Sequence, residues 1–340
     1  MSKAVKILGS LLVLALLASA GAGVYIAGEI EAPETQPQDP FFRVEPGDSV
    51  ATIAARLEER GFLRSRTLFR LYARLMQTDG NLQTGYYQIS EPLSLPDLHD
   101  LLLRGEQYLV SVTIPEGYTL RRTAALLEDK GIVSAADFTA AVESEELMDE
   151  LTIPAESARG FLFPDTYRFA LQTPAEMVVR HMVSTFFEEL ESLGIVPEEY
   201  SSDELYNRVI LASIVEREYR IPEEAPLIAS VFYNRLDIGM ALQSCATVVY
   251  VLTEEQDKPH PQFITYRDLE VASQFNTYQH PGLPPAPICN PGRVALESVF
   301  FPAQSDYLYF LVEDPEAGKH TFTRTLSDHN AAKRLYIKSN

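Results

Sequence analysis

The sequence predicts an α+β protein hung from an N-terminal transmembrane helix. Three observations carry that expectation: an uncharged apolar run near the N-terminus, a repeated strand–turn–helix pattern through the first half, and apolar-striped helices followed by proline-rich loops in the second. The 340 residues suit two or three domains, and 46% hydrophobic with 22% charged residues is a globular composition. Lys and Arg number 28 against 48 Asp and Glu, a formal charge of −20 that repels phosphate backbones and argues against nucleic acid as a partner. Two cysteines exclude a disulfide-dense scaffold or a four-cysteine zinc site. There is no Trp but 17 Tyr and 17 Phe, so if the protein stacks on sugars, Tyr and Phe must do it.

Residues 7–28 carry no charge, and at 1.5 Å per residue they make about 33 Å of helix, enough to cross the hydrocarbon core. Lys3 and Lys6 precede this run, and Glu29 and Glu31 follow it. The positive-inside rule therefore places residues 1–6 as a cytoplasmic tail, 7–28 as a single-pass anchor in the cytoplasmic membrane, and everything later outside. Ala18-Ser19-Ala20 has the small-x-small form of a signal-peptide cleavage site, but the apolar run continues past it through Ala22, Val24, Tyr25 and Ile26, which favours an uncleaved anchor. Residues 29–41, rich in Pro and Gln, read as an extended stalk.

An internal repeat fills residues 42–157. Val44-Glu45-Pro46-Gly47-Asp48-Ser49-Val50 is echoed by Ile114-Pro115-Glu116-Gly117-Tyr118-Thr119-Leu120. Ser49 and Thr119 stand where a helix N-cap belongs, and Gly61 and Gly131 where each helix should close. A short strand, a glycine turn and two helices resemble a LysM unit, more closely in the first copy than the second. Glycan binding and simple support are both open to such a region.

From about Ala158 the texture changes, and residues 158–340 form a second region of helices and loops. A helix is expected from Pro174 to Leu193, capped by Thr173 and closed by Gly194. Ser201-x-x-Glu204 reads as a capping box opening a helix that runs to Glu218. That helix is apolar on nearly every side from Val209 to Val215, as only a buried helix is. A third helix is expected from about Pro226 to Leu236, followed by loops.

The chemistry lies at the end of the buried helix, in Glu216-Arg217-Glu218. Burial raises a carboxyl pKa and keeps an acid protonated near neutral pH, ready to act as a general acid. Positions two apart on a helix point about 200° apart, so Glu216 and Glu218 cannot form a shared dyad. Spacing alone leaves open which of them faces a cleft.

Leu211-Ala212-Ser213-Ile214-Val215-Glu216-Arg217-Glu218 resembles the signature of the YceG-like family of endolytic lytic transglycosylases acting on peptidoglycan. Further blocks follow in family order: Gly160-Phe161-Leu162-Phe163-Pro164-Asp165-Thr166-Tyr167, Ser230 to Leu236, Gly239 to Ser244, Phe275-Asn276-Thr277-Tyr278, Gly282-Leu283-Pro284-Pro285, Asn290-Pro291-Gly292, His320-Thr321-Phe322 and His329-Asn330. The resemblance implies that residues 158–340 form a compact mixed α/β catalytic domain, that Glu218 is catalytic and that Glu216 supports it, with Gln243, Thr247, Tyr250, Asn276, Thr277 and Tyr278 as supporting or substrate-binding residues. It also implies scission between N-acetylmuramic acid and N-acetylglucosamine, with 1,6-anhydro ends and termination of nascent strands. Glycan strands are the implied partner, with peptidoglycan synthases at the same membrane, and no cofactor or metal is implied.

Two positions depart from the family pattern. Arg159 stands where an acidic residue often precedes Gly160, and Cys245-Ala246 replaces a common Asp-Pro. Cys245 and Cys289 both fall outside the membrane in loops that the family fold gathers around the glutamate helix, so a disulfide between them is expected. Two other readings stay open at this point: a non-catalytic, membrane-anchored glycan-binding or scaffolding protein, and a muramidase that hydrolyses the same bond. His320 and His329 lack the His-Glu-x-x-His spacing of a metalloprotease.

Overall fold

The computed structural model describes residues 21, 23, 25–35, 37–314 and 316–336. Apart from its last turns, the anchor expected at residues 7–28 lies outside the described residues. Among those described, no helix is long and apolar enough to cross a membrane.

The chain divides into two compact units, Met1–Val110 and Ser111–Asn340. The first unit contains β1 (Phe41–Val44), α1 (Val50–Glu59), α2 (Arg66–Leu75), β2 (Gly85–Gln88) and α3 (Leu95–Arg104). β1 and β2 pair antiparallel, with Phe41 opposite Gln88 and Val44 opposite Gly85. Period-2 alternation turns Phe42 and Val44 inward onto Ile53 and Leu57 of α1, Phe69 of α2 and Leu98 and Leu102 of α3. Ser49 caps α1 by accepting from Thr52 N at 3.1 Å, and Gly61, at φ 80°, turns the chain off its end.

β3 (Leu109–Thr113) spans the division and pairs with β4 (Thr166–Ala170). The second unit continues with α4 (Leu120–Asp129), α5 (Ala135–Val142), α6 (Glu145–Glu150), β4 and α7 (Ala175–Ser192). Then come α8 (Ser202–Glu218), α9 (Ala225–Asp237), α10 (Cys245–Tyr250), α11 (Arg293–Phe300), the hairpin β5 (Tyr309–Asp314) and β6 (Lys319–Thr323), and α12 (Leu326–Tyr336). The hairpin is antiparallel, with Val312 opposite His320 and a bulge between Val312 and Asp314.

The repeat is a repeat in three dimensions: each copy is strand, capped helix, glycine turn and second capped helix. Thr119 caps α4, Gly131 closes it at φ 68°, and Ser134 caps α5. The sequence suggests one region over residues 42–157, but contact density draws the division at Val110/Ser111. The second copy belongs with the residues after 158 because it is bonded to them throughout. Gly117 N donates to Asn290 O at 3.0 Å and Asn290 N to Tyr118 O at 2.9 Å, while α5 lies against α7.

α8 is the central helix, with Val209 to Val215 all buried, and it packs against α9 and α11. Its N-terminus corrects a detail of the capping-box expectation. Ser201 accepts from Glu204 N at 3.2 Å, but the Glu204 side chain turns to Arg208 at 3.0 Å. At α7 the cap is Pro174 rather than Thr173, whose hydroxyl instead donates to Ala170 O at 2.7 Å.

Candidate active site

Glu216 and Glu218 end on different sides of the last turn of α8, as their 200° separation requires. Glu216 turns to the second repeat and the Asn290–Gly292 loop, where its Oε2 accepts from Gly292 N at 3.0 Å. Burial, reinforced by the nearby Glu116 carboxylate, pushes the Glu216 carboxyl up to about 7 against its bond to Gly292. Gly292 leaves room for the Glu116 side chain, which a Cβ at that position would run into. Glu216 is therefore a tie between α8, the repeat and the 290–292 loop.

Glu218 opens instead into a cavity of about 390 Å³, and it is the only carboxylate lining it among the described residues. Around it stand Ser244, Cys245, Gln243, Tyr278, Arg217, Arg220, Arg235, Tyr309, His320, His329 and Lys333. The residue keeps an open flank on the cavity while its carboxyl group is packed deep among protein atoms. The Ser244 hydroxyl donates to Glu218 Oε1 in a short hydrogen bond, and Ala246 N also donates to the carboxylate. Burial raises the Glu218 pKa, outweighing the opposing pulls of Ser244, Ala246, His320 and Arg217. The result is a carboxyl that holds its proton more tightly than an ordinary glutamate, with donors in place to receive it once ionised.

The loop residues named from sequence divide into cavity groups and supports. Gln243, at φ 50°, and Tyr278 line the cavity. Thr247, Asn276 and Thr277 are buried behind it. Thr277 Oγ1 accepts from Ser244 N at 3.1 Å, and Thr247 Oγ1 donates to Ser244 O at 2.8 Å. Asn276 Nδ2 donates to Leu269 O at 3.0 Å and to Val271 O at 2.7 Å, while its Oδ1 accepts from Tyr278 N at 3.0 Å. These residues hold Ser244 and Tyr278 in place rather than facing a substrate. Tyr250 lies outside the Glu218 cavity, its ring centroid 4.7 Å from that of Phe275, in a neighbouring hollow with Arg159 and Asn290.

The disulfide is not formed, and both cysteines are free thiols. Cys245 sits at the first position of α10 with Sγ 3.2 Å from the Tyr278 hydroxyl, at the cavity. Cys289 is buried, its Sγ 3.2 Å from Ser213 O. The two thiols have different neighbours, Cys245 beside Tyr278 and Glu218 and Cys289 beside Ser213 and Glu216, so gathering both loops at α8 does not pair them.

Sequence reasoning passed over three groups. Ser244 is the N-cap of α10, a short helix inside a stretch expected to be loop, and a serine ahead of the apolar residues Val248 and Val249 is the signal that could have marked it. Arg235, 7% exposed, donates from Nε to Leu308 O at 2.6 Å and from Nη1 to Leu242 O at 2.5 Å, buttressing the cavity wall. The Glu224–His320 pair, with Nδ1 to Oε2 at 2.8 Å, joins residues 96 apart in the chain and left no local signal. Among the described residues no group of three or more His, Cys, Asp or Glu is placed to hold a metal ion.

Fold and site thus define a protein built around one carboxyl of raised pKa that opens into a cavity at the end of a buried helix. The profile of the YceG-like family matches residues 42–335, and the chain belongs to that family. It is 31% identical over 318 residues to the endolytic murein transglycosylase of Bacillus subtilis strain 168, an alignment covering 87% of this chain and 84% of that protein. It is 30% identical over 331 residues to the endolytic murein transglycosylase of Streptococcus pneumoniae D39, covering 87% of this chain but 58% of the longer pneumococcal protein. Among solved structures, the crystal structure of a YceG-like protein from Listeria monocytogenes superimposes with a TM-score of 0.54 at 29% identity, covering 86% of this chain and 98% of that one.

Proposed function

We propose that this chain is a membrane-anchored endolytic lytic transglycosylase that cuts the N-acetylmuramic acid–N-acetylglucosamine bond of peptidoglycan and leaves 1,6-anhydro ends. The observation that carries the reading is the solitary carboxylate. A two-carboxylate glycosidase needs an acid and a second carboxyl about 5–9.5 Å away. Glu218 is the only acid lining its cavity among the described residues, whereas four cationic side chains, Arg217, Arg220, Arg235 and Lys333, share it.

One residue suffices when the nucleophile is part of the substrate. Protonated Glu218 gives its proton to the glycosidic oxygen as the bond to C1 breaks. The resulting carboxylate is stabilised by the Ser244 hydroxyl and Ala246 N. It then takes the proton from the C6 hydroxyl of the muramoyl residue as that oxygen closes on C1, which regenerates the acid. Tethering the nucleophile supplies effective concentration that an external water lacks. Tyr278 and Gln243, held at the cavity by Asn276 and Thr277, are placed to bond sugar hydroxyl and acetamido groups. The uncharged run at residues 7–28, with lysines before it and glutamates after, supports a single-pass cytoplasmic-membrane anchor with the catalytic unit outside. There it would meet nascent strands beside the synthases that make them, and would end their elongation.

The test is product chemistry. Purified protein incubated with glycan strands should yield anhydro ends by mass spectrometry, and Glu218→Gln should lower the rate by about 10²–10⁴-fold. Reducing ends in place of anhydro ends would turn the reading to a muramidase. Strand binding without any cutting would turn it to a glycan-binding protein.

A further inference from the structure

A second cavity adjoins the first on the other side of the α10 N-terminus. It measures about 430 Å³ and shares Arg217 with the Glu218 cavity. Consecutive residues divide the two, Cys245 lining one and Ala246 the other. Its far wall is the second repeat copy, which contributes Gly117, Thr119, Arg121 and Arg122, so the N-terminal turn of α4 opens onto it. The loop after α10 adds Lys258 and His260.

The charge of this cavity runs against that of the molecule. In a chain of net charge −20, Arg121, Arg122, Arg217 and Lys258 converge on one hollow, and Glu254 is its only acid among the described residues. Glu254 is already neutralised by Arg121, which also binds Asp257. Arg122 lies over the Tyr118 ring at 4.1 Å, and Arg217 Nη1 reaches Gly117 O at 3.5 Å. Among the described residues no direct ion pair engages Arg122, Arg217 or Lys258. Three cations without direct carboxylate partners, beside a helix N-terminus, form a receptor for anionic groups.

We propose that this cavity binds the carboxylates of the peptide stems carried by the glycan strand, so that the enzyme selects strands that still bear peptides over bare ones. The inference rests on the reading of the Glu218 cavity as the site of strand cleavage. The stem leaves the strand from the lactyl group of the muramoyl residue, the same sugar whose C1 must sit at Glu218. An anion site sharing a wall with the Glu218 cavity is therefore where the acidic peptide of that sugar, or of its neighbour, comes to rest. The second repeat copy thereby acquires a role in recognition, as the wall on the peptide side of the site.

The test compares the full-length wild-type protein with Arg122→Gln/Lys258→Gln, neither residue lining the Glu218 cavity. Substrates are strands with intact stems and the same strands stripped by an amidase, and the readout is the initial rate of new glycan ends of any kind. The wild type should cut stem-bearing strands about tenfold faster, equal to about 1.4 kcal/mol, and 0.5 M NaCl should erode that preference. The variant should lose the preference while keeping the wild-type rate on stripped strands and the wild-type melting temperature. An unchanged preference in the variant, or equal loss on both substrates, overturns the proposal while leaving the cleavage reading intact. Should the wild type cut neither strand, the cleavage reading fails, and titration with a synthetic stem tetrapeptide bearing two free carboxylates decides this site separately. Binding weakened about tenfold in the variant supports it, and no binding by the wild type at millimolar peptide overturns it.

Discussion

Ser244→Ala removes the serine hydrogen bond that tunes Glu218, the acid of the proposed reaction. The Ser244 hydroxyl donates to Glu218 Oε1 and in turn accepts from Ala246 N at 3.2 Å. Burial raises the Glu218 pKa, and the serine bond opposes that rise by favouring the ionised form. A hydrogen bond to a charged group contributes about 1.5–3 kcal/mol, so its loss should push the Glu218 pKa further up. In the proposed reaction the protonated form starts the cycle, so the alkaline limb of kcat/KM against pH should move to higher pH. The maximal rate should fall as well, because the carboxylate formed midway loses its donor. Losing the α10 cap costs about 1 kcal/mol of stability in addition, which a thermal melt reads separately. The assay is the initial rate of strand scission from pH 4 to pH 10. An alkaline limb that stays in place, or moves to lower pH, refutes the assignment of Ser244 as donor and of Glu218 as the titrating acid.

Glu216→Gln should remove a pH dependence of stability rather than of catalysis. The wild-type carboxyl titrates at about 7 folded against 4.5 unfolded, so its contribution is fully present below pH 4.5 and is lost as pH rises through 7. At pH 8 the variant should be more stable by up to about 3 kcal/mol in urea titrations, with no gain at pH 4; a gain equal at both pH values would contradict the assignment. A thiol reagent should modify Cys245 but not Cys289 in the native protein, and both after unfolding, with cleavage lost at the first modification; a bridged peptide in unreduced digests would contradict the two free thiols. Gly160→Ala should destabilise by about 2–4 kcal/mol, because φ is 85° and the new Cβ would lie 2.6 Å from Pro287 Cγ and 2.8 Å from Val209 Cγ1; a change below about 0.5 kcal/mol would show that the loop yields.

The sequence by itself determined what is local or periodic. Ser49, Thr119 and Ser201 declared helix starts, and Gly61 and Gly131 declared helix ends, because caps and left-handed turns are satisfied by residues within a few positions. The all-round apolar surface of residues 209–215 declared a buried helix, since only burial tolerates it. The separation of Glu216 from Glu218 followed from 100° per residue. Only the tertiary structure decided which glutamate meets a cavity, because that depends on what packs on each side of α8: the 290–292 loop against Glu216, the 243–246 loop against Glu218. It placed Asn276 and Thr277 as buried supports, since a polar side chain in a loop reads the same in sequence whether it faces a ligand or a carbonyl. It kept Cys245 and Cys289 apart, joined Glu224 to His320 across 96 positions, and divided the two repeat copies between units. Each of these depends on contacts between segments far apart in the chain. Short-range propensity and periodicity carry no information about such contacts, because their energy exists only once the packing that creates them has formed.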